Sequence, residues 1–443
     1  MQNSFLQLFK VPETRTRIWV TLALLVAYRV GFHIPIPGMN PEFLRRNQDQ
    51  GSLFGLMSAF SGGDIGNTNL FALGIMPYIS ASIIFSMLGK VSPRIEAIQK
   101  EGAAGQKKIN QWTRLAVVPI ALIQALFIYT GVFLQKPDLV AVDMRDNTFA
   151  LGLAVVLSLL AGALLVMWIG ELITEFGVGN GASLIIMAGI VATIPSALLQ
   201  LRTVDSGEFW QTLLTLGLIW AVTVLVVVFI HKGARRVPIQ YARLVRGPQG
   251  QMATNRHFLP LKINMAGVMP IVFASVVFII PALIFDWIGL SDLKDVFSSP
   301  TGFVHVASYV ALVFFFCFFW NRLMFQPTEI ADNLREHGSF IPGIRPGAKT
   351  AEYLDNVLTR ITLAGAAFLA IIAILPAFVT SGSSIPMDMR YFLGGTSVLI
   401  TVGVALDLVD RLNAALVMRN YEGFMKGSGP GWTRNSDQKD AKK

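Results

Sequence analysis

Ten apolar stretches, at residues 18–32, 70–88, 115–134, 149–169, 182–201, 209–230, 265–284, 304–321, 361–379 and 391–408, constrain this chain more than anything else in it. Each approaches the ~20 residues that a helix needs to cross ~30 Å of hydrocarbon. The mean hydropathy is +0.57, and 53% hydrophobic against 14% charged residues lies outside soluble composition. The pattern predicts an all-α polytopic membrane protein of ten transmembrane helices. The first residues, MQNSFLQLFKVPETRTR, are too polar for a signal peptide and are expected to stay on the chain.

Charge sets the orientation. Loops on one side, namely 1–17, 90–114, 232–262, 322–360 and the tail beyond 410, carry 28 Lys and Arg, whereas those on the other side carry 7. By the positive-inside rule both termini are cytoplasmic and the number of spans is even. Arg29, inside a span near its outer end, snorkels to the interface. Five spans before Arg202 and five after it suggest two halves of inverted topology. The expected divisions are a cytoplasmic N-terminal segment at 1–17 and a first five-helix half at 18–201. The second half starts at 202–231, sends out a basic loop at 232–262, and continues at 263–411 with a further cytoplasmic loop at 322–360. A cytoplasmic tail follows at 412–443, with disorder expected from Gly427 on.

The stretch SLFGLMSAFSGGDIGNTNLFALGIMPYISASIIFSMLGK, residues 52–90, is apolar yet broken in its middle. Leu53, Phe54, Leu56, Met57 and Phe60 have helical spacing, but this segment is too short to span and must be re-entrant or interfacial. Gly62, Gly63, Asp64 and Gly66 then break the helix, and non-helical backbone at membrane depth requires protein or water around it. Two readings stand: a kinked helix in a tight bundle, or a movable short helix beside a water-accessible cavity. On the following span Gly74 and Pro77 interrupt regularity, and Ser80, Ser82 and Ser86 add small polar groups.

Two basic-side loops carry their own signals. Loop 232–262 has seven basic residues and no acidic one, which suits an anionic lipid surface. Its VPIQYA and HFLPL segments around GPQG suggest a projecting hairpin, and a docking surface fits better. Loop 322–360 contains SFIPGIRPGAKT, where Arg345 between Gly343 and Pro346 is presented on a rigid turn. The bland reading of Arg345 is that it simply obeys the positive-inside rule.

The sequence contains no Walker loop, dinucleotide fingerprint, HExxH or GxSxG. His33, His231, His257, His305 and His337 lie at span ends or in loops without ligand spacing, so no metal or other cofactor is expected. The lone Cys317 sits in an apolar run and is expected as a buried thiol. The central thirds of the spans hold almost no ionisable residue, unlike an ion-coupled transporter. No enzymatic chemistry is expected, and work must come from a partner.

In order and spacing, FSGGD, FALGIMPYISASII, GVGNGASLIIMAGIV, LPLKINMAGVMP, NLREHGSFIPGIRPG and YFLGGTS resemble the bacterial SecY family, the channel subunits of the Sec protein-export translocon. The resemblance runs from about Arg17 to about Tyr421. It implies an hourglass of two inverted halves, with the broken helix at 52–66 as a plug. It places a pore ring at Ile75, Ile79, Ala182, Ile186, Val272 and Ile400, with Ala182 where the family often has a bulkier aliphatic. It implies a lateral gate between the second and seventh spans, with Ser80 and Ser82 facing Asn264 and with Asn180 nearby. Arg345 matches the family's loop arginine for motor-driven export, with Arg243 and Arg246 as further docking residues. The partners implied are SecE, SecG, the ATPase SecA, the ribosome and signal-peptide-bearing precursors, and the location implied is the bacterial inner membrane. The function implied is a channel that passes unfolded polypeptides across the membrane and releases apolar segments sideways into it. A secondary transporter of small solutes is the alternative that inverted halves and a broken helix would also suit. An intramembrane protease lacks the necessary nucleophile, base or metal ligands.

Overall fold

The computed structural model describes residues 12–39, 69–134, 140–141, 147–201, 206–241, 257–263, 267–288, 296–297, 302–380 and 394–427. A helix lies on every one of the ten expected spans. The first half contains α1 (Pro12–Gly31), α2 (Met76–Val91), the short basic-side α3 (Pro93–Lys100), α4 (Ala103–Ile128), α5 (Thr148–Phe176), α6 (Gly181–Ala192) and α7 (Ile194–Leu201). The second half contains α8 (Ser206–Lys232), β1 (Ala234–Tyr241), β2 (His257–Lys262), α9 (Met269–Ile288), α10 (Phe303–Met324), α11 (Pro327–Glu336), β3 (Ser339–Phe340), α12 (Ala348–Thr380) and α13 (Gly395–Gly427). Five helical stretches of the described residues are long and apolar enough to cross a membrane, and two more are apolar but shorter.

The outer surface is itself apolar. Along α8, Leu214, Leu218, Leu225 and Phe229 are each at least two-thirds exposed, which water would penalise and hydrocarbon does not. Lipid supplies no hydrophobic drive between helices, so their association depends on close packing. The junction of α5 and α6 shows how close: a Cβ on Gly181 would sit 1.8 Å from the carbonyl oxygen of Gly170. Backbone therefore lies against backbone there.

Several boundaries differ from the sequence expectation for local reasons. The second span starts as turns and becomes helical only at Met76, because Gly74 takes φ of 52° and Pro77 stands in the first helical turn, where its missing N–H costs nothing. Pro77 is thus a helix start rather than an interruption. The fifth span is two helices that part at Thr193, two residues before Pro195. The third span continues past Ile128 as a π-helical segment, Tyr129–Phe133. On the basic side α4, α12 and α13 extend well beyond the expected apolar limits.

Within each half the helices pack along their lengths, α2 on α4, α4 on α5 and α5 on α6 in the first, α9 on α10, α10 on α12 and α12 on α13 in the second. Between the halves, among the described residues, α6 and α13 form the extended contact. The two halves therefore meet along their fifth and tenth spans. Loop 232–262 forms the expected hairpin, β1 pairing antiparallel with β2 from Ala234 opposite Lys262 to Ile239 opposite His257. Loop 322–360 adds β3 to its other edge, Tyr241 opposite Ser339. Beneath this sheet Val237, Leu261, Ile341, Leu354 and Leu358 form a separate buried cluster.

Candidate functional site

The six residues Ile75, Ile79, Ala182, Ile186, Val272 and Ile400 come from α2 and the residue before it, α6, α9 and α13, and the fold brings all six into one apolar cluster. Ile75 is 1% exposed, Ile400 2%, Val272 6%, Ile186 8% and Ile79 9%, while Ala182 is half-buried. The six draw on both halves and offer side-chain surface without donors or acceptors. Behind it, Tyr28 stacks on Phe71 with ring centroids 6.0 Å apart and meets Phe32 edge-on at 5.0 Å.

Local chemistry fixes this arrangement. Ile75 is the N-cap residue of α2, so the turn at Gly74 aims it together with Ile79, one helical turn on. Asn180 caps α6, its side-chain oxygen accepting from the backbone N–H of Ala182 at 3.0 Å and of Ser183 at 3.4 Å. The Thr174 hydroxyl accepts from the N–H of Gly181 at 2.9 Å, and the Thr21 hydroxyl accepts from the N–H of Val178 at 3.0 Å. The segment that leads into α6 is thereby tied to α5 and α1. Asn180, which the resemblance implies as a gate residue, here caps the helix that carries Ala182 and Ile186.

Helices α2 and α9 contrast with α6 and α13. Among the described residues they share no extended packing, although Ile75, Ile79 and Val272 belong to the same cluster. Ser80 and Ser82 are half-buried on α2, and the Ser82 carbonyl accepts from the Ser86 hydroxyl at 2.7 Å. Asn264, Arg243, Arg246 and the segment Leu53, Phe54, Leu56, Met57 and Phe60 lie outside the described residues.

On the basic face Arg345 is exposed in a turn with Gly343 at φ 83° and Gly347 at φ 99°. Only glycine adopts such angles without strain. The Thr350 hydroxyl donates to the Arg345 carbonyl at 3.0 Å, so the turn is pinned to the start of α12. Nearby, the Lys349 ammonium donates to Glu352 at 2.8 Å and, by that hydrogen bond first and its charge second, holds the Glu352 carboxyl below its ordinary value. The contact of α6 with α13, the cap and the third strand escaped sequence reasoning. The GNG run at 179–181 was the one local signal for the cap.

A helical bundle in two halves, packed together on one flank and joined by a mainly aliphatic cluster, defines a class of polytopic membrane protein. Its fold matches a solved structure described as "The structure of a protein conducting channel", with 18% identity, a TM-score of 0.62 and coverage of 90% of this chain and 92% of that one. It also matches the Sec61 of a canine ribosome–channel complex from the endoplasmic reticulum, at 17% identity and a TM-score of 0.59, with 90% of this chain and 92% of that one covered. The SecY family model matches residues 69–409. The protein translocase subunit SecY of Pseudomonas aeruginosa is 41% identical over 427 residues, covering 93% of this chain and 94% of that protein. The Streptomyces coelicolor protein of the same description is 40% identical over 447 residues, covering 96% and 100%. The chain belongs to the SecY family.

Proposed function

We propose that the chain is a protein-conducting channel that passes unfolded polypeptides across the bacterial inner membrane and releases apolar segments sideways into lipid. The observation that carries this reading is the apolar cluster. Ile75, Ile79, Ala182, Ile186, Val272 and Ile400 meet where the two halves meet, and an aliphatic constriction dewets and so blocks hydrated ions without a charged filter. A polypeptide can fill the same ring with side chains of any type. In this reading the ring seals the resting channel, backed by a plug at Leu53, Phe54, Leu56, Met57 and Phe60. The gate lies between α2 and α9, with Ser80, Ser82 and Asn264 at its edges.

The basic face is the cytoplasmic face in this proposal and takes the driving partner, the ATPase SecA or a translating ribosome, through Arg345 and through Arg243 and Arg246. SecE and SecG are the expected membrane subunits, and anionic lipids complement the basic loops. The deciding experiment reconstitutes the complex in vesicles and compares import of a signal-bearing precursor with uptake of small solutes. Precursor import requiring a cytosolic motor supports the proposal. Solute uptake with no precursor import overturns it in favour of a transporter.

A further inference from the structure

At the basic end of the bundle, between the last turn of α10, the start of α11 and the first half of α12, lies a cavity of about 230 Å³ lined in part by Phe318, Asn321, Arg322, Thr328, Asp355 and Thr359. Its polar wall holds one cation and one anion on different helices. Among the described residues neither Arg322 nor Asp355 has an ion-pair partner, each other included. The Asn321 amide nitrogen donates to the Thr362 hydroxyl, while its buried oxygen has no partner among the described residues. The walls then turn apolar. Helical spacing puts Phe318 and Phe315 below Arg322 on α10 and Leu363 below Thr359 on α12, and Phe315 is 61% and Leu363 54% exposed to the lipid side.

A paired cation and anion would have made this an ordinary surface salt bridge. Two separate charges around one cavity, above two apolar stripes, ask instead for a ligand with both charges and a hydrocarbon body. We infer that the cavity is a binding site for a phospholipid with a primary-amine headgroup, of the phosphatidylethanolamine type. The phosphate meets the Arg322 guanidinium and the ammonium donates to Asp355, both as charge-assisted hydrogen bonds. The acyl chains run along Phe315 and Phe318 on one side and Leu363 on the other. A choline headgroup has no N–H to give Asp355, and a glycerol headgroup offers it only neutral hydroxyls in place of an ammonium charge. The inference rests on the apolar helices being membrane spans, and it is independent of what passes through the channel.

The test uses the full chain, with the subunits that co-purify, in nanodiscs of equal phosphatidylethanolamine, phosphatidylcholine and phosphatidylglycerol. The lipid retained after detergent washing is counted by native mass spectrometry. Retention of the ethanolamine lipid over the choline lipid by about fivefold is expected, the worth of one exposed charge-assisted contact. Asp355→Asn should abolish that preference, Asp355→Glu should keep it, and Arg322→Gln should lower retention of both lipids. Glu352→Gln, on the same helix but away from the cavity, should change nothing. Equal or greater retention of the glycerol or choline lipid by the unaltered chain overturns the site, as does ethanolamine retention that Asp355→Asn and Arg322→Gln leave unmoved. A loss with Glu352→Gln equal to that with Asp355→Asn would also overturn it, by showing a general charge effect.

Discussion

Gly181 and the residues around it show how much of the central cluster depends on single atoms. The Gly170 carbonyl that a Gly181 side chain would strike is backbone inside α5, so it cannot swing aside as a flexible side chain would. Gly181→Val is expected to destabilise the folded chain by about 3 kcal/mol or more, above the usual 1–3 kcal/mol of overpacking, read as a lower melting temperature in detergent. Asn180→Ala removes the cap that serves Ala182 and Ser183 and should cost about 1 kcal/mol. In the ring, Ile79→Ser combined with Ile400→Ser should raise resting ion conductance in planar bilayers, because two hydroxyls wet a constriction otherwise without donors. Ala182→Ile should lower any leak that remains in a chain lacking residues 54–61. Unchanged conductance in both would place the seal elsewhere. None of the ring residues differs from its span neighbours in type: Ile75 and Ile83, or Ile186 and Ile190, are indistinguishable by composition and periodicity. The motifs of the family singled out the six, and the turn at Gly74 and the cap at Asn180 are the physical reasons they converge.

At the scale of elements, the ten spans were legible because a run of apolar residues as long as the hydrocarbon is thick has few alternatives. Their ends were not. Helix α12 begins at Ala348 and α13 continues to Gly427, because hydrogen bonding and packing beyond the membrane favour helix where hydropathy has no signal to give. The hairpin at 232–262 was legible from the apolar segments that flank GPQG, but its third strand was not, since a two-residue strand such as Ser339–Phe340 has no periodicity to read. That strand fastens the turn carrying Arg345 to β1, the chain leaving α8. Leu261, 0% exposed beneath the sheet, is expected to cost about 2–5 kcal/mol when cut to Ala, enough to loosen so small a sheet. Motor-driven import should then fall while membrane insertion persists, and limited proteolysis should newly cut loop 232–262. Arg345→Glu should stop the same import without that new cleavage, which separates contact with the motor from loss of the platform.

For the molecule as a whole, the asymmetry between its flanks matters most. Extended packing joins the halves at α6 and α13, whereas α2 and α9 share none among the described residues. A disulfide across the α2–α9 flank, with one engineered Cys at Ser82, is expected to stop precursor import until reductant is added. A disulfide joining α6 to α13 should leave import near its normal rate. Full import through channels locked at α2 and α9 would remove the gate from that flank. The sequence offered the count of five and five, which implies two halves, but no hydropathy pattern states which flank is bonded and which is free. Cys317, the only native thiol, is buried in the core of the second half, so such engineered pairs have little competition.

The three-stranded sheet also has a history in time. Strand β1 ends at Tyr241 and its second partner begins at Ser339, so roughly a hundred residues must be made before the sheet is complete. At ~5–20 residues per second, one edge of β1 stays open for some 5–20 s while two further spans are still being inserted. An unpaired strand edge is an invitation to any neighbouring strand. The growing chain thus passes through a moment when the edge that will take Ser339 and Phe340 is itself an exposed template.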